Sequence, residues 1–330
     1  MLALVMDPRR AFRRTGAIVV VALALATPMP ALAQQPGSDP DTLDDVVVSG
    51  RRLEDAVRQY VENVSAPART RGLARWDGDI CVKVVNFQPA VEAEVAGRIR
   101  EVAMALEIPV EGKGCDPNIV VMGTEDGPML AEAIVDRFRS RFFRFGSTRT
   151  NRGSAALDRF RRSDGPVRWW HVSLPVHAVS GDPMIRLPGK PPVSLPCSSR
   201  STATYDLSVA GIGGARTGAR CNAVTDRIIG LWIVVDVEAS SGLSAAQLAD
   251  YLAFVAVAQV DPDADMSSFD TVLNLFERPD DVSGITGWDE VYLQSLYSGD
   301  NERLDAAEQA ARMFEALPPA PTPSPPIPTP

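Results

Sequence analysis

The chain has 330 residues and carries 42 Asp and Glu against 33 Lys and Arg, a net charge of −9, and 45% of it is hydrophobic. An acidic balance of this size argues against a general binder of nucleic acid or of anionic membrane surfaces. The length suits one large domain or two small ones, with enough apolar content for a full core.

The N-terminus reads as an export signal. Arg9, Arg10, Arg13 and Arg14 form a basic region, residues 16–26 an apolar stretch, and Ala31-Leu32-Ala33 the small-x-small pattern that signal peptidase cuts. The apolar stretch falls well short of the roughly twenty residues that span a bilayer. Residues 1–33 are therefore expected to be a signal peptide, and the mature chain to start at Gln34 and be periplasmic or secreted. Arg9-Arg10-Ala11-Phe12 resembles the core of a twin-arginine signal, while Pro8 stands where such signals carry Ser or Thr, so both export routes stay open. Cleavage leaves 29 Lys and Arg against 41 Asp and Glu. No later apolar run is long enough to span a membrane and no Cys follows the cleavage site, so neither a span nor a lipid anchor is expected.

Four cysteines follow: Cys81, Cys115, Cys197 and Cys221. An even number in an exported chain reads as two disulfides. Of the three connectivities, Cys81–Cys115 with Cys197–Cys221 is favoured, because each closes a loop within one local unit. A metal site is the rival reading, but no C-x-x-C is present and the spacings fit no zinc module. No metal and no cofactor is expected.

Residues 34–52 are expected to be a disordered leader, within which residues 46–50 have the look of a short strand or docking segment. A single α+β domain is expected over 53–317. It opens with a helix over 53–64 and a strand over 80–85. Val91, Val95, Ile99, Val102 and Leu106 then recur at helical spacing after Pro89. A second strand is predicted over 118–122 and a helix from Pro128. Residues 137–168 are the basic part of the molecule, with aromatic residues among and beside the arginines.

A long strand is predicted over 167–179, interrupted at Pro175, and then a Pro-rich loop over 181–200. Residues 205–209 and the segment from Cys221 read as a hairpin around a Gly-rich link. The strongest strand pattern is 228–237, IIGLWIVVDV. Ser244 and Gln247 form a capping box for a very apolar helix over 245–260. Helices over 269–276, 288–297 and 302–317 complete the domain, and residues 318–330 are a disordered Pro-rich tail.

Candidate chemistry is thin. The chain has only two histidines, His171 and His177. Six residues apart on one strand, they stand about 20 Å from each other and cannot share a metal unless Pro175 folds the chain back. His171 reads as structural or surface. No G-x-S-x-G elbow is present, and oxidised cysteines supply no nucleophile. Gly211–Gly218 lacks the Lys-Ser/Thr of a phosphate loop and reads as a hairpin tip. Asp261, Asp263 and Asp265 alternate as calcium ligands do, but Met266 replaces the turn glycine and Val272 the terminal Glu of an EF-hand, which favours a solvated turn. The best binding candidate is the Arg- and aromatic-rich segment: Arg137, Arg141, Arg144, Arg159, Arg161, Arg162, Arg168, Trp169, Trp170 and His171. Arginines over aromatic faces suit an acidic partner. The competing reading is that these arginines form a solvated face balancing the acidic surface.

The order strand, helix, strand, helix, further strands, then a strong strand running into an apolar helix resembles the upper half of a zincin metalloprotease domain. The segments FDTVLNLF (269–276) and GWDEVYL (287–293) are similar to the end of an uncharacterised family of exported proteobacterial proteins and putative lipoproteins, some of them zincin-related. The resemblance implies a mixed sheet with helices packed on one side, zincin-like topology and C-terminal helices. It does not carry over the activity. The zincin helix needs H-E-x-x-H, and residues 248–259 (LADYLAFVAVAQ) contain neither His nor Glu. The expectation is an exported, non-enzymatic binding or envelope-associated protein, a degenerate zincin-like domain recognising an acidic or envelope component. The alternative is a periplasmic hydrolase whose site is not recognisable from sequence, around His171 or a carboxylate pair. A third reading is a structural partner that docks through its Pro-rich tail.

Overall fold

A computed structural model describes residues 41–68, 71–112, 114–142, 152–178, 181, 194–196, 202–204, 224–299 and 304–317. The chain divides at Asp45/Val46, and the second unit, Val46–Pro330, holds the core described below. The elements are α1 (Asp41–Val64), β1 (Val82–Val85), α2 (Pro89–Ala105), β2 (Ile119–Thr124), α3 (Gly127–Phe142), α4 (Ser154–Arg162), β3 (Val167–His177), β4 (Ser194–Pro196), β5 (Thr202–Thr204), β6 (Val224–Asp236), α5 (Ala245–Val257), α6 (Gly287–Tyr297) and α7 (Ala306–Ala316), with a 3₁₀ turn at Val272–Asn274. No helix among the described residues is long and apolar enough to cross a membrane.

The fold is α+β. A four-stranded mixed sheet runs β1-β2-β6-β3, in which β1, β2 and β6 are parallel and β3 pairs antiparallel with β6. β4 and β5 form a separate two-stranded antiparallel pair. The larger core lies on one face of the sheet, where Val84, Ile119, Val121, Trp169, Leu231 and Ile233 meet α2 and α5, with α1, α6 and α7 contributing behind. The expected one-sided cover is extended on the other face. There Met122, Trp170, Val172 and Val234 pack under Ala131, Ile134 and Val135 of α3 and Ala156, Leu157 and Phe160 of α4. The reason is visible in the strands: IVVM and LWIVV are continuous apolar runs rather than alternating ones, as strands covered on both faces require.

Three local expectations change. α1 begins at Asp41, so the expected leader is helical from there and residues 46–50 lie within the helix rather than in a strand. Leu43, Val46 and Val47, and then Leu53, Val57, Tyr60, Val61 and Val64, recur at three- and four-residue steps within each group, and the single Gly50 between them costs only about 1 kcal/mol. The irregularity in β3 falls between Val172 and Ser173, while Pro175 pairs in register with Asp226. Pro is tolerated there because β3 is an edge strand. Between Thr271 and Leu275 a 3₁₀ turn replaces most of the helix expected over 269–276.

Cys81 and Cys115 are joined, across a sequence separation of 34 residues. Loop-closure entropy puts the value of such a link at about 4 kcal/mol. Cys197 and Cys221, like the Gly-rich link, lie outside the described residues.

Asp289 ties the C-terminal elements together. It is fully buried, and its carboxylate accepts from the Tyr60 hydroxyl at 2.7 Å, the Thr271 hydroxyl at 2.6 Å, the Val272 N–H at 2.7 Å and the Thr286 N–H at 3.0 Å. Burial pushes this carboxyl above its ordinary range, and the donors push it back. One side chain thus joins α1, the 3₁₀ turn and the start of α6. Asp289→Ala leaves these donors unmet inside the core and is expected to lower stability by about 3 kcal/mol or more, read from urea unfolding. A loss below 1 kcal/mol would show that the cluster is not a structural hub.

Candidate functional site

The order of the sheet leaves β3 at its edge, and a cleft of about 90 Å³ lies along it. Consecutive residues of β3, Val167 to His171, form one wall. α4 supplies Ala156, Arg159 and Phe160, the α4–β3 connection Ser163 and Gly165, and the chain after α5 supplies Gln259, Val260, Pro262 and Asp263. Ala66 and Arg152 complete the lining.

The side chains of β3 are fixed by hydrogen bonds. Trp169 Nε1–H donates to the Val260 carbonyl at 3.0 Å, and its ring meets Tyr251 edge-on at 6.2 Å. Trp170 packs on Phe160 at 6.3 Å. His171 Nε2 lies 3.0 Å from the Val255 carbonyl, which requires the proton to be on Nε2. Burial, aided by the Arg152 charge, brings the imidazole down to about 4, against the opposing effect of its hydrogen bond. His171 is therefore neutral at pH 7, with Nε2 committed to the backbone.

That backbone is the buried C-terminal end of α5. From Tyr251 to Val257 α5 is buried on every side, and Phe254 to Ala258 are inaccessible to solvent. A helix end leaves its last carbonyls without intrahelical donors. Here Phe254 C=O takes the Ala258 N–H, and the next three carbonyls take side chains from distant parts of the chain. Val255 receives His171 Nε2–H, Ala256 receives Trp76 Nε1–H at 2.8 Å, and Val257 receives the Tyr297 hydroxyl at 2.6 Å.

The arginines of the candidate segment go to different places. Arg152 Nη2 donates to both carboxylate oxygens of Asp261, at 2.8 and 2.7 Å, and Arg159 pairs with Asp263 at 2.7 Å. The alternating aspartates after α5 thus serve as partners for arginine, while Asp265 accepts from Ser267, which lowers its pKa. Arg168 is buried, with 2% of its surface exposed. Its guanidinium donates to the carbonyls of Ser163 and Gly165, and burial lowers its pKa. Arg168 Nη1 lies over Gly127, so a side chain at that position would require the guanidinium to shift.

Arg161 pairs with Glu132, Arg162 is exposed, and Arg137 lies over the Phe138 ring at 5.7 Å. The side chain of Arg141, like all of Arg144, is outside the described residues, as is the side chain of His177. The cleft therefore brings together Arg159, Arg168, Trp169, Trp170 and His171 from the sequence-based set, and leaves Arg137, Arg161 and Arg162 outside its lining. It adds Arg152, Phe160 and Gln259. Arg152 stood in the basic segment without a signal of its own. Gln259 could not be read from sequence, because its role is to accept the Ala74 N–H at 3.1 Å from a connection far back in the chain.

α5 is the helix that the sequence resemblance set against the zincin catalytic helix. Its one acidic side chain, Asp250, takes Arg98 and the Ile285 N–H at 3.3 Å. Comparison with protein-family models, with curated proteins and with solved structures finds no match to the chain.

The folded pKa of His171 lies below the ordinary 6.5, so on acidification the unfolded chain takes up the proton first. Its contribution to stability is complete above about pH 6.5 and is lost as pH falls towards 4. His171→Gln is expected to flatten the pH dependence of unfolding in that window by about 3 kcal/mol. Identical pH profiles for the two proteins would contradict this.

Proposed function

We infer that the protein works by binding rather than by turnover, as an exported component of the cell envelope, and that the cleft beside β3 receives an acidic group of its partner. The observation that carries this reading is the convergence of Arg152, Arg159 and Arg168 with Trp169 and Trp170 on one cleft, in a chain whose net charge is −9. At physiological ionic strength a charge is felt over roughly 8–10 Å, so an incoming anion responds to the groups at the mouth, where Arg152 and Arg159 stand paired with Asp261 and Asp263, rather than to the net charge of the whole chain. The Arg159–Asp263 pair is half exposed, at 50% and 52%. Such pairs are worth at most about 1 kcal/mol, so a ligand carboxylate or phosphate can take the place of Asp263 at low cost. The cleft volume, about 90 Å³, suits one such group at the end of a longer molecule.

Export is supported by the basic and apolar segments ahead of Ala33 and by the Cys81–Cys115 link, which persists in oxidising compartments. On this reading the zincin-like order of elements is a scaffold, and its helix α5 a packing element. The hydrolase alternative is disfavoured because His171 is neutral with Nε2 engaged, and the aspartates near the cleft are held by arginines.

The test uses polyglutamate as a soluble acidic chain in calorimetric titration. Binding is expected at low salt, weakening as salt rises. The Arg152→Ala/Arg159→Ala variant is expected to bind at least about tenfold more weakly, as loss of charge-assisted contacts implies. No binding to the acidic chain, or binding indifferent to the two arginines, would overturn the assignment of the cleft.

A further inference from the structure

One group of ligating side chains converges away from the cleft. The sulfurs of Cys81 and Cys115 and a carboxylate oxygen of Glu111 all lie within 4.8 Å of one another. While the sulfurs are joined they offer no thiolate. The surrounding backbone is held by bonds other than the disulfide. Glu111 N–H donates to the Ile80 carbonyl at 2.9 Å, next to a bridge between Ile80 and Val110. Cys81 C=O accepts from Asn118 and Ile119 at 3.1 and 3.0 Å, and Cys81 N–H donates to Asn118 Oδ1 at 2.8 Å. Cys115 leads directly into this anchored Asn118. An open groove lined by both cysteines gives access to the pair.

We propose that this is a redox-gated metal site, which holds zinc through Cys81, Cys115 and Glu111 when reduced and releases it when oxidised. A dithiol opens the site by thiolate attack on the S–S bond. Two electrons and two protons pass to Cys81 and Cys115, and the dithiol leaves as its own disulfide. Both thiols then give their protons to solvent as Zn²⁺ binds, and water fills the fourth position. Ligand atoms of a tetrahedral zinc stand roughly 3.7 Å apart, a spacing that fits the observed cluster once the sulfurs separate. A small-molecule disulfide reverses the exchange: it takes two electrons from the Cys81 and Cys115 thiolates and two protons from solvent and leaves as a dithiol, and the metal is lost with the thiolates. The bonds at Ile80, Cys81, Glu111 and Asn118 hold the Cys81 and Glu111 backbones independently of the disulfide, and Cys115 is tethered three residues ahead of Asn118.

The experiment uses the chain carrying Cys197→Ser and Cys221→Ser, so that only Cys81 and Cys115 can report as thiolates. After reduction with a trialkylphosphine and removal of the excess, it is titrated anaerobically with Co²⁺ and then Zn²⁺. If that variant does not fold, the wild-type chain compared with Cys115→Ser gives the same reading. The expected result is one Co²⁺ per reduced chain with a thiolate charge-transfer band, displaced by Zn²⁺, and no uptake by the oxidised chain. Glu111→Ala is expected to weaken binding at least about tenfold, and reduction to leave the helical circular-dichroism signal in place. Equal uptake by the oxidised chain, no uptake by the reduced one, indifference to Glu111→Ala, or collapse of the helical signal on reduction would each overturn the proposal.

Discussion

A helix whose last turns are buried on every side leaves end carbonyls that water cannot reach and that the rest of the structure must satisfy. α5 is such a helix. Its last carbonyls lie where water does not reach, so each needs a donor from protein. Trp76, His171 and Tyr297 provide them, from the connection ahead of β1, from β3 and from α6. An unmet buried carbonyl costs about 1–3 kcal/mol, and three at one end would be a large share of the stability of a domain. The positions of β3 and α6 relative to α5 follow from this requirement as much as from apolar packing.

The cleft is a consequence of the same arrangement. β3 must lie close enough to the end of α5 for His171 and Trp169 to reach Val255 and Val260. The chain leaving α5 therefore turns beside the edge strand, and brings Asp261 and Asp263 opposite the arginines that flank and belong to α4. A histidine next to a cleft would ordinarily draw attention as an acid or base. Here its nitrogen completes a helix end, and burial keeps it neutral. The polar groups best placed to exchange a partner for a ligand are the rim arginines, Arg159 foremost through its half-exposed pair with Asp263, which favours recognition over proton transfer.

Much of the architecture was legible in residue patterns. The apolar periodicity of 91–106, the IIGLWIVVDV run and the Ser244/Gln247 capping box all correspond to observed elements, and the capping box is present with both of its hydrogen bonds. α4 was hidden by composition. Its arginines dominate the sequence, although Ala156, Leu157 and Phe160 already sit at the spacing of a buried stripe. The cover on the second face of the sheet was signalled by unbroken apolar strands. The partners of α5's carbonyls were not legible, because Trp76, His171 and Tyr297 are linked to α5 only through tertiary contacts. For the same reason the candidate segment could be recognised as basic and aromatic, while its division into cleft wall, rim and outer face could not.

The central claim is that His171 is a neutral donor committed to the end of α5. ¹⁵N-resolved spectra of its imidazole, followed from pH 7 down to pH 4, test it directly. The account predicts a single tautomer with the proton on Nε2, staying neutral through pH 6 and titrating only near the value of about 4 that burial imposes. An imidazolium already formed at pH 6, or a proton on Nδ1 with Nε2 free, would contradict it and return His171 to the role of a working acid or base.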